Sequence, residues 1–168
     1  MAMVYLSLGS NKGDRIGYIQ RATSSLDELD DISLVRSSSF YESEPWGTNS
    51  KNWYVNAIIE IKTSQSPHEL LNTIHKIEAQ LGRDRNQEGH YGDRTIDIDI
   101  MFYDKEIIND KDLIIPHKFF HKRAFTLVPM IELEPDFEHP ILKKTVLELH
   151  NTLENPEMIF LYGTRIGI

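Results

Sequence analysis

The chain has 168 residues, which is one ordinary domain and too few for two comfortable ones. Hydrophobic residues make up 40% and charged residues 26%, enough for a sizeable core under a solvated surface, and this excludes a disordered chain. Lys and Arg number 18 and Asp and Glu 26, a net charge of −8. That field repels polyanions and argues against non-specific nucleic-acid or anionic-membrane binding, so an anionic ligand needs a local cluster of Arg and Lys or bound cations.

No cysteine is present, which removes disulfides, thiolate zinc sites, Cys nucleophiles and iron–sulfur clusters. A metal would be held by Asp, Glu, His or Asn, a donor set that favours Mg²⁺, Mn²⁺ or Ca²⁺. No apolar run reaches the ~18 residues that a membrane helix needs. The start Met1-Ala2-Met3-Val4-Tyr5-Leu6 lacks the basic and long apolar regions of a signal peptide, so the expected compartment is the cytoplasm. A single domain over 1–168 is expected, as a monomer or weak dimer.

In chain order, residues 3–8 alternate as a strand, and Gly9-Ser10-Asn11-Lys12-Gly13-Asp14 is a turn cluster. Ile16, Ile19, Ala22, Leu26 and Leu29 recur at helical spacing over 15–29. Residues 33–41 read as a strand and 42–52 as a loop. Over 53–63, Tyr54, Asn56, Ile58 and Glu60 fall on one strand face and Val55, Ala57, Ile59 and Ile61 on the other. Ser66, Pro67 and Glu69 form a capping box with Pro at the first helical position, Leu70 to Leu81 carry the helical stripe, and Gly82 stops it. Residues 83–94 form a polar loop containing Arg83, Arg85, His90 and Arg94, and 95–102 is a strand. Helices are expected near 119–131, interrupted by Pro129, and near 144–153. The order βαββαβ predicts an α+β fold, a ferredoxin-like plait with an antiparallel sheet and helices on one face, plus C-terminal additions.

The chemistry concentrates in Arg94-Thr95-Ile96-Asp97-Ile98-Asp99-Ile100-Met101-Phe102. As a strand, Ile96, Ile98, Ile100 and Phe102 share one face and Asp97 and Asp99 the other, roughly 6.5–7 Å apart at Cα. Asp is disfavoured in strands, and two like charges so close resist joint ionisation unless a cation lies between them. An amphipathic strand with an acidic solvent face is the bland alternative. Arg83, Arg85 and Arg94 just upstream change the balance, because carboxylates for metal and guanidiniums for phosphate are the two halves of a phosphoryl-transfer site. His117, His121, Lys122 and Arg123 are a second basic group, placed where a helix dipole disfavours cations. Trp46 is a large apolar group in a polar loop. Neither the P-loop nor the dinucleotide-binding glycine spacing occurs, which excludes a Walker-type NTPase and a Rossmann domain.

These residues resemble the 6-hydroxymethyl-7,8-dihydropterin pyrophosphokinases of folate biosynthesis. The likeness runs through Leu8-Gly9-Ser10-Asn11, Ser39-Phe40-Tyr41-Glu42-Ser43, Pro45-Trp46-Gly47, Tyr54-Val55-Asn56-Ala57, Leu81-Gly82-Arg83-Asp84-Arg85, Gly92-Asp93-Arg94-Thr95-Ile96-Asp97-Ile98-Asp99-Ile100, Ile115-Pro116-His117 and Arg123-Ala124-Phe125. The resemblance implies transfer of the pyrophosphoryl group of ATP to the pterin hydroxymethyl group, with AMP leaving. It implies that Asp97 and Asp99 hold two Mg²⁺ ions, that Asn56 binds the pterin edge with backbone of Ser43, Trp46 and Gly47, and that Tyr54 and Phe125 sandwich the ring. Arg83, Arg85, Arg94, His117 and Arg123 match phosphate-binding positions, and Arg83 and Arg94 are placed with the Asp pair in the catalytic set. Glu78 matches a nucleotide contact, and Ile100, Leu113 and Ile114 match the adenine site. Tyr91 stands where many members carry Trp, and Lys118 where an aromatic residue is common. From the residues alone, two other readings stand: a two-metal phosphotransferase or nuclease using the same Asp pair, and a non-catalytic ferredoxin-like ligand-binding module.

Overall fold

The computed structural model describes residues 1–84 and 92–163. β1 (Ala2–Ser10) runs down the middle of an antiparallel sheet. After it come α1 (Arg15–Asp27), β2 (Ile32–Ser37), β3 (Phe40–Ser43), β4 (Tyr54–Thr63), α2 (Pro67–Gln80) and β5 (Asp97–Tyr103). β5 and β4 flank β1, and β2 and β3 lie end to end along the far side of β4. Counted as one strand, β2 and β3 complete the ferredoxin-like order, β5-β1-β4-β2/β3.

The single strand expected over 33–41 is broken at Ser38-Ser39 for a local reason. Ser38 Oγ, in place of a backbone carbonyl, accepts from Ile58 N at 2.9 Å while Ser38 N donates to Ile58 O at 2.8 Å. One side chain enters the ladder, and the pairing resumes with Phe40. The α2 signals act as read: Ser66 accepts from Glu69 N, Glu69 returns the bond to Ser66 N, and Gly82 follows the last turn at φ +90°.

α1 and α2 share one face of the sheet. Ile19, Ala22 and Leu26 from α1 and Leu70, Ile74 and Ile77 from α2 pack on Val4, Leu6, Leu8, Ile59, Ile61, Ile98 and Ile100. The expectation of helices on that face alone is incomplete. The chain after residue 103 crosses to the opposite face, where α3 (Ala124–Leu133) and α4 (Val146–Asn151) cover Tyr5, Ile58, Met101 and Phe102. Pro129 lies inside α3 without ending it. One lost backbone hydrogen bond is offset by burial of Pro129, Met130 and Leu133. A short hairpin of β6 (Ile108–Asn109) and β7 (Ile114–Ile115) follows β5, and β8 (Ile159–Gly163) pairs with the outer edge of β3. α3 and α4 cover only one end of their face. The other end, where Asp97, Asp99, Gly9 and Asn56 stand, is left as a cleft.

Candidate active site

The floor of the cleft is one row of residues across the sheet. Gly9 of β1 pairs with Asp97 of β5 on one side and Asn56 of β4 on the other. Ser7, two residues back, pairs with Asp99 and Ile58. Adjacent strands lie about 4.8 Å apart, so the acidic pair and Asn56 sit roughly 10 Å apart across a strip without bulky side chains. Gly9 keeps that strip open: a Cβ there would lie 3.1 Å from Asn56 Oδ1 and 3.5 Å from the Tyr54 ring. Asn56 is buried and donates its Nδ2 to Ser43 Oγ at 2.7 Å, which leaves Oδ1 as an acceptor toward the floor. The cavity, about 150 Å³, is completed by Trp46, Gly47, Arg94, Arg123 and Phe125.

Asp97 and Asp99 project to the same side but differ in their surroundings. Asp97 accepts from Arg83 Nη1 at 2.9 Å and from Arg94 Nη1 at 3.1 Å. Arg83 is fixed from behind by the buried Glu78 carboxylate, which also accepts from Ile98 N at 3.0 Å. Asp99 is held less closely. Burial first, and then the negative charge of Asp97, push its carboxyl up to about 7, with Arg123 pulling the other way. Two carboxyl groups that share a site and are only partly compensated are suited to a hard divalent cation, whose remaining ligands would be phosphate oxygens and water. Among the described residues no third His, Asp or Glu joins them.

Asp99 also lines a second cleft of about 280 Å³, on the other side of β5, with Ile100, Leu113, Ile114 and His117. Burial and the charge of Arg123 pull His117 down to about 4. Its Nδ1 accepts from Phe119 N at 3.2 Å, so the neutral ring carries its proton on Nε2 and offers one donor, not a cation. Arg123 lies between the clefts with its guanidinium carbon 4.4 Å from the centre of the Trp46 ring, 5.0 Å from Phe119 and 5.2 Å from Phe125. Its Nε is buried and has no hydrogen-bond partner among the described residues. A guanidinium stacked among rings with a free donor is chemically suited to bind a phosphate.

The structure therefore brings Ser43, Trp46, Gly47, Tyr54, Asn56, Arg94, Asp97, Asp99, Arg123 and Phe125 to one cleft. Ile100, Leu113, Ile114 and His117 line the adjoining one. Arg83 faces a third opening, beside Gly92 and Asp93. Glu78 reaches neither main cleft; its carboxylate turns inward to hold Arg83 and β5. Arg85 and Tyr91 lie outside the described residues. Lys118 places its Nζ 4.8 Å over the Phe119 ring. Ser7, Glu44 and Thr48 line the first cleft without having been singled out, and Gly92, quoted only as part of its motif, lines it too. Ser7 had a signal in the alternation of β1, where a small polar residue shares a face with Gly9.

An antiparallel plait carrying paired carboxylates between arginines and an aromatic slot defines a metal-assisted phosphoryl-group transferase. The sequence model of 7,8-dihydro-6-hydroxymethylpterin-pyrophosphokinase matches residues 5–135, and the chain belongs to that family. It is 44% identical over 156 residues to the 2-amino-4-hydroxy-6-hydroxymethyldihydropteridine pyrophosphokinase of Aquifex aeolicus, covering 92% of this chain and 95% of that one. The protein of the same description from Bacillus subtilis is 39% identical over 131 residues, 78% of this chain and 77% of that one. Among solved structures, wild-type HPPK-DHPS of Plasmodium falciparum with pteroate superposes with a TM-score of 0.73 at 16% identity, a likeness of fold. The match takes in 89% of this chain but only 42% of that longer one. The chain is thus a transferase of folate biosynthesis that moves the pyrophosphoryl group of ATP onto hydroxymethyl dihydropterin. The general phosphotransferase or nuclease reading and the non-catalytic reading are not favoured. Mg²⁺ is the metal that accompanies ATP in such kinases. No helix among the described residues is long and apolar enough to cross a membrane.

Proposed function

We propose that the first cleft takes the pterin and the second the adenine, with the triphosphate crossing between them over Asp97 and Asp99. The observation that carries this reading is the position of Asp99, whose carboxyl belongs to both clefts and has Asp97 beside it on the same strand face. A donor phosphate arriving from one side and an acceptor hydroxyl from the other meet there. Tyr54 and Phe125 would flank the flat ring, and Asn56 Oδ1 would accept from its amide-like edge beside backbone of Ser43, Trp46 and Gly47. Ile100, Leu113 and Ile114 supply the apolar walls for adenine. Arg83 holds Asp97 from behind, and Arg94 holds Asp97 and flanks the phosphates; Arg123 and the Nε2–H of His117 complete the anion cage, with Arg85 as a further phosphate ligand by its position in the sequence. Glu78 acts through Arg83, not on the nucleotide directly.

Asp97 and Asp99 suit two Mg²⁺ ions, which when bound neutralise phosphate charge and acidify the attacking hydroxyl. The residues of this chain do the rest. The ring slot and Asn56 aim the hydroxymethyl group at the β-phosphorus. Arg123 and Arg94 hold the pyrophosphoryl oxygens in line. With the hydroxyl acidified in this way no dedicated base is required, and Asp97 or Asp99 would accept its proton. AMP then leaves through the second cleft. We read 1–168 as one domain, a monomer or weak dimer of the cytoplasm, and its acidic charge supports the reading that it does not engage nucleic acid.

The test is product identity. With ATP, Mg²⁺ and hydroxymethyl dihydropterin, AMP and the pterin pyrophosphate form in equal amounts. ADP as the nucleotide product, or hydrolysis of ATP at the same rate without pterin, would refute the assignment.

A further inference from the structure

Phe125, the second residue of α3, sits in the ring slot, yet α3 begins without a capping side chain from its own first turn. The cap arrives from 32 residues downstream: Phe125 N donates to Glu157 Oε1 at 2.8 Å. We propose that Glu157 is a positioning residue for the pterin, fixing the first turn of α3, and with it the Phe125 ring, through this bond. The inference rests on the assignment of the first cleft to pterin.

Glu157 is 8% exposed, and a buried carboxylate is costly unless its hydrogen bonds are needed. Burial raises the proton affinity of Glu157, while its hydrogen bonds to backbone N–H groups at the start of α3 and the charge of Arg123 act the other way. Glu157 Oε2 and Arg123 Nε are both buried and without hydrogen-bond partners among the described residues, an acceptor and a donor left over on facing segments.

The segment bearing Glu157 is itself anchored to the opposite wall of the slot. Glu44 N donates to Met158 O at 3.1 Å and Met158 N donates to Glu44 Oε1 at 2.7 Å, and Glu44 lines the cleft. β8 then pairs along β3, whose Ser43 holds Asn56, and Phe160 stacks on Trp53 with ring centres 6.1 Å apart. The C-terminal segment thus ties the aromatic wall at Phe125 to the polar wall at Ser43 and Asn56. It lies beyond residue 135, where the family match stops.

The experiment compares Glu157→Gln with Glu157→Asp, following AMP formation at saturating ATP and Mg²⁺ while hydroxymethyl dihydropterin is varied. Gln keeps an oxygen at the same reach and loses the charge. Asp keeps the charge and withdraws the oxygen by one methylene. The expected result is a rise of about tenfold in the pterin KM of Glu157→Asp, with Glu157→Gln within about threefold of the wild type. A pterin KM unchanged in Glu157→Asp, or raised equally in the two variants, overturns the inference. Both substitutions are close in volume to Glu, and pterin titration of the folded protein gives a second reading if turnover is lost. A wild type that forms no AMP overturns the functional assignment instead, an outcome that the variant comparison cannot imitate.

Discussion

At the scale of single residues, the site depends on what Gly9 lacks. Its missing side chain leaves the floor between Asp97 and Asn56 open, and any Cβ would press on Oδ1 of Asn56, whose Nδ2 donates to Ser43 Oγ. Gly9→Ala is expected to leave the fold intact, because β1 remains a strand that Ala tolerates, but to weaken pterin binding by about tenfold as Asn56 gives way by a few tenths of an ångström. Titration of pterin in the presence of a non-hydrolysable ATP analogue checks this, and an unchanged affinity would mean that Asn56 does not contact the ring. Much of the site was legible at this scale. A period of two put Asp97 and Asp99 on one face of β5 and Asn56 with Tyr54 on one face of β4; that the two faces are one floor follows only from the pairing of both strands with Gly9. Glu157 was not legible. Its bond joins positions 125 and 157, and no local pattern signals a cap supplied from so far along the chain. The inward turn of Glu78 was equally hidden: the resemblance gave it a nucleotide contact, whereas its carboxylate holds Arg83.

At the scale of elements, β5 shows how one inserted residue limits what alternation can tell. Strict alternation placed Phe102 with Ile98 and Ile100. The pairing with β1 shifts between Tyr5 and Leu6, so that Ile100 and Phe102 oppose consecutive residues and Met101 is the bulge. Beyond the bulge the faces exchange. Phe102 joins Tyr5, Phe120 and Phe137 on the α3 face, with ring centres 6.4, 4.6 and 4.6 Å away. The exchange has a use: upstream the α3 face carries Asp97 and Asp99, downstream it carries an aromatic anchor for the segment leading to Arg123. Phe102→Ala removes that anchor from a fully buried position and is expected to cost about 3–5 kcal/mol, read by urea denaturation. A loss below about 1 kcal/mol would mean that the aromatic cluster is not what seats α3. The long elements were legible because each was signalled twice, by periodicity and by its caps, as in α2. β6, β7 and β8 were missed because two- to five-residue strands carry too few alternations to register, and their pairing is decided by the elements they meet.

At the scale of the whole molecule, an acidic protein gathers Arg94 and Arg123 at one end of one sheet face, beside an acidic pair whose Asp99 carboxyl stays raised, and on the proposed reading that is where it holds a polyanion. That arrangement leaves a trace in the pH dependence of the ligand-free chain. Asp99 is raised from 3.8 to about 7, so between those values the folded chain retains a proton that the unfolded chain has lost. Its contribution to stability is complete below about pH 4 and is lost as pH rises through 7. His117 and His139 run the opposite way. Burial lowers both from 6.5 to about 4, so their contribution is complete above 6.5 and is lost as pH falls toward 4. Wild-type stability alone mixes these trends, but Asp99→Asn removes only the first. Measured without nucleotide or metal, the melting temperature of Asp99→Asn relative to wild type is expected to rise by more than about 3 °C between pH 5 and pH 8. The histidines contribute equally to both chains and cancel in that difference. A difference that stays flat across the range would mean that Asp99 ionises freely in the folded state, and that the acidic pair needs no cation to be tolerated.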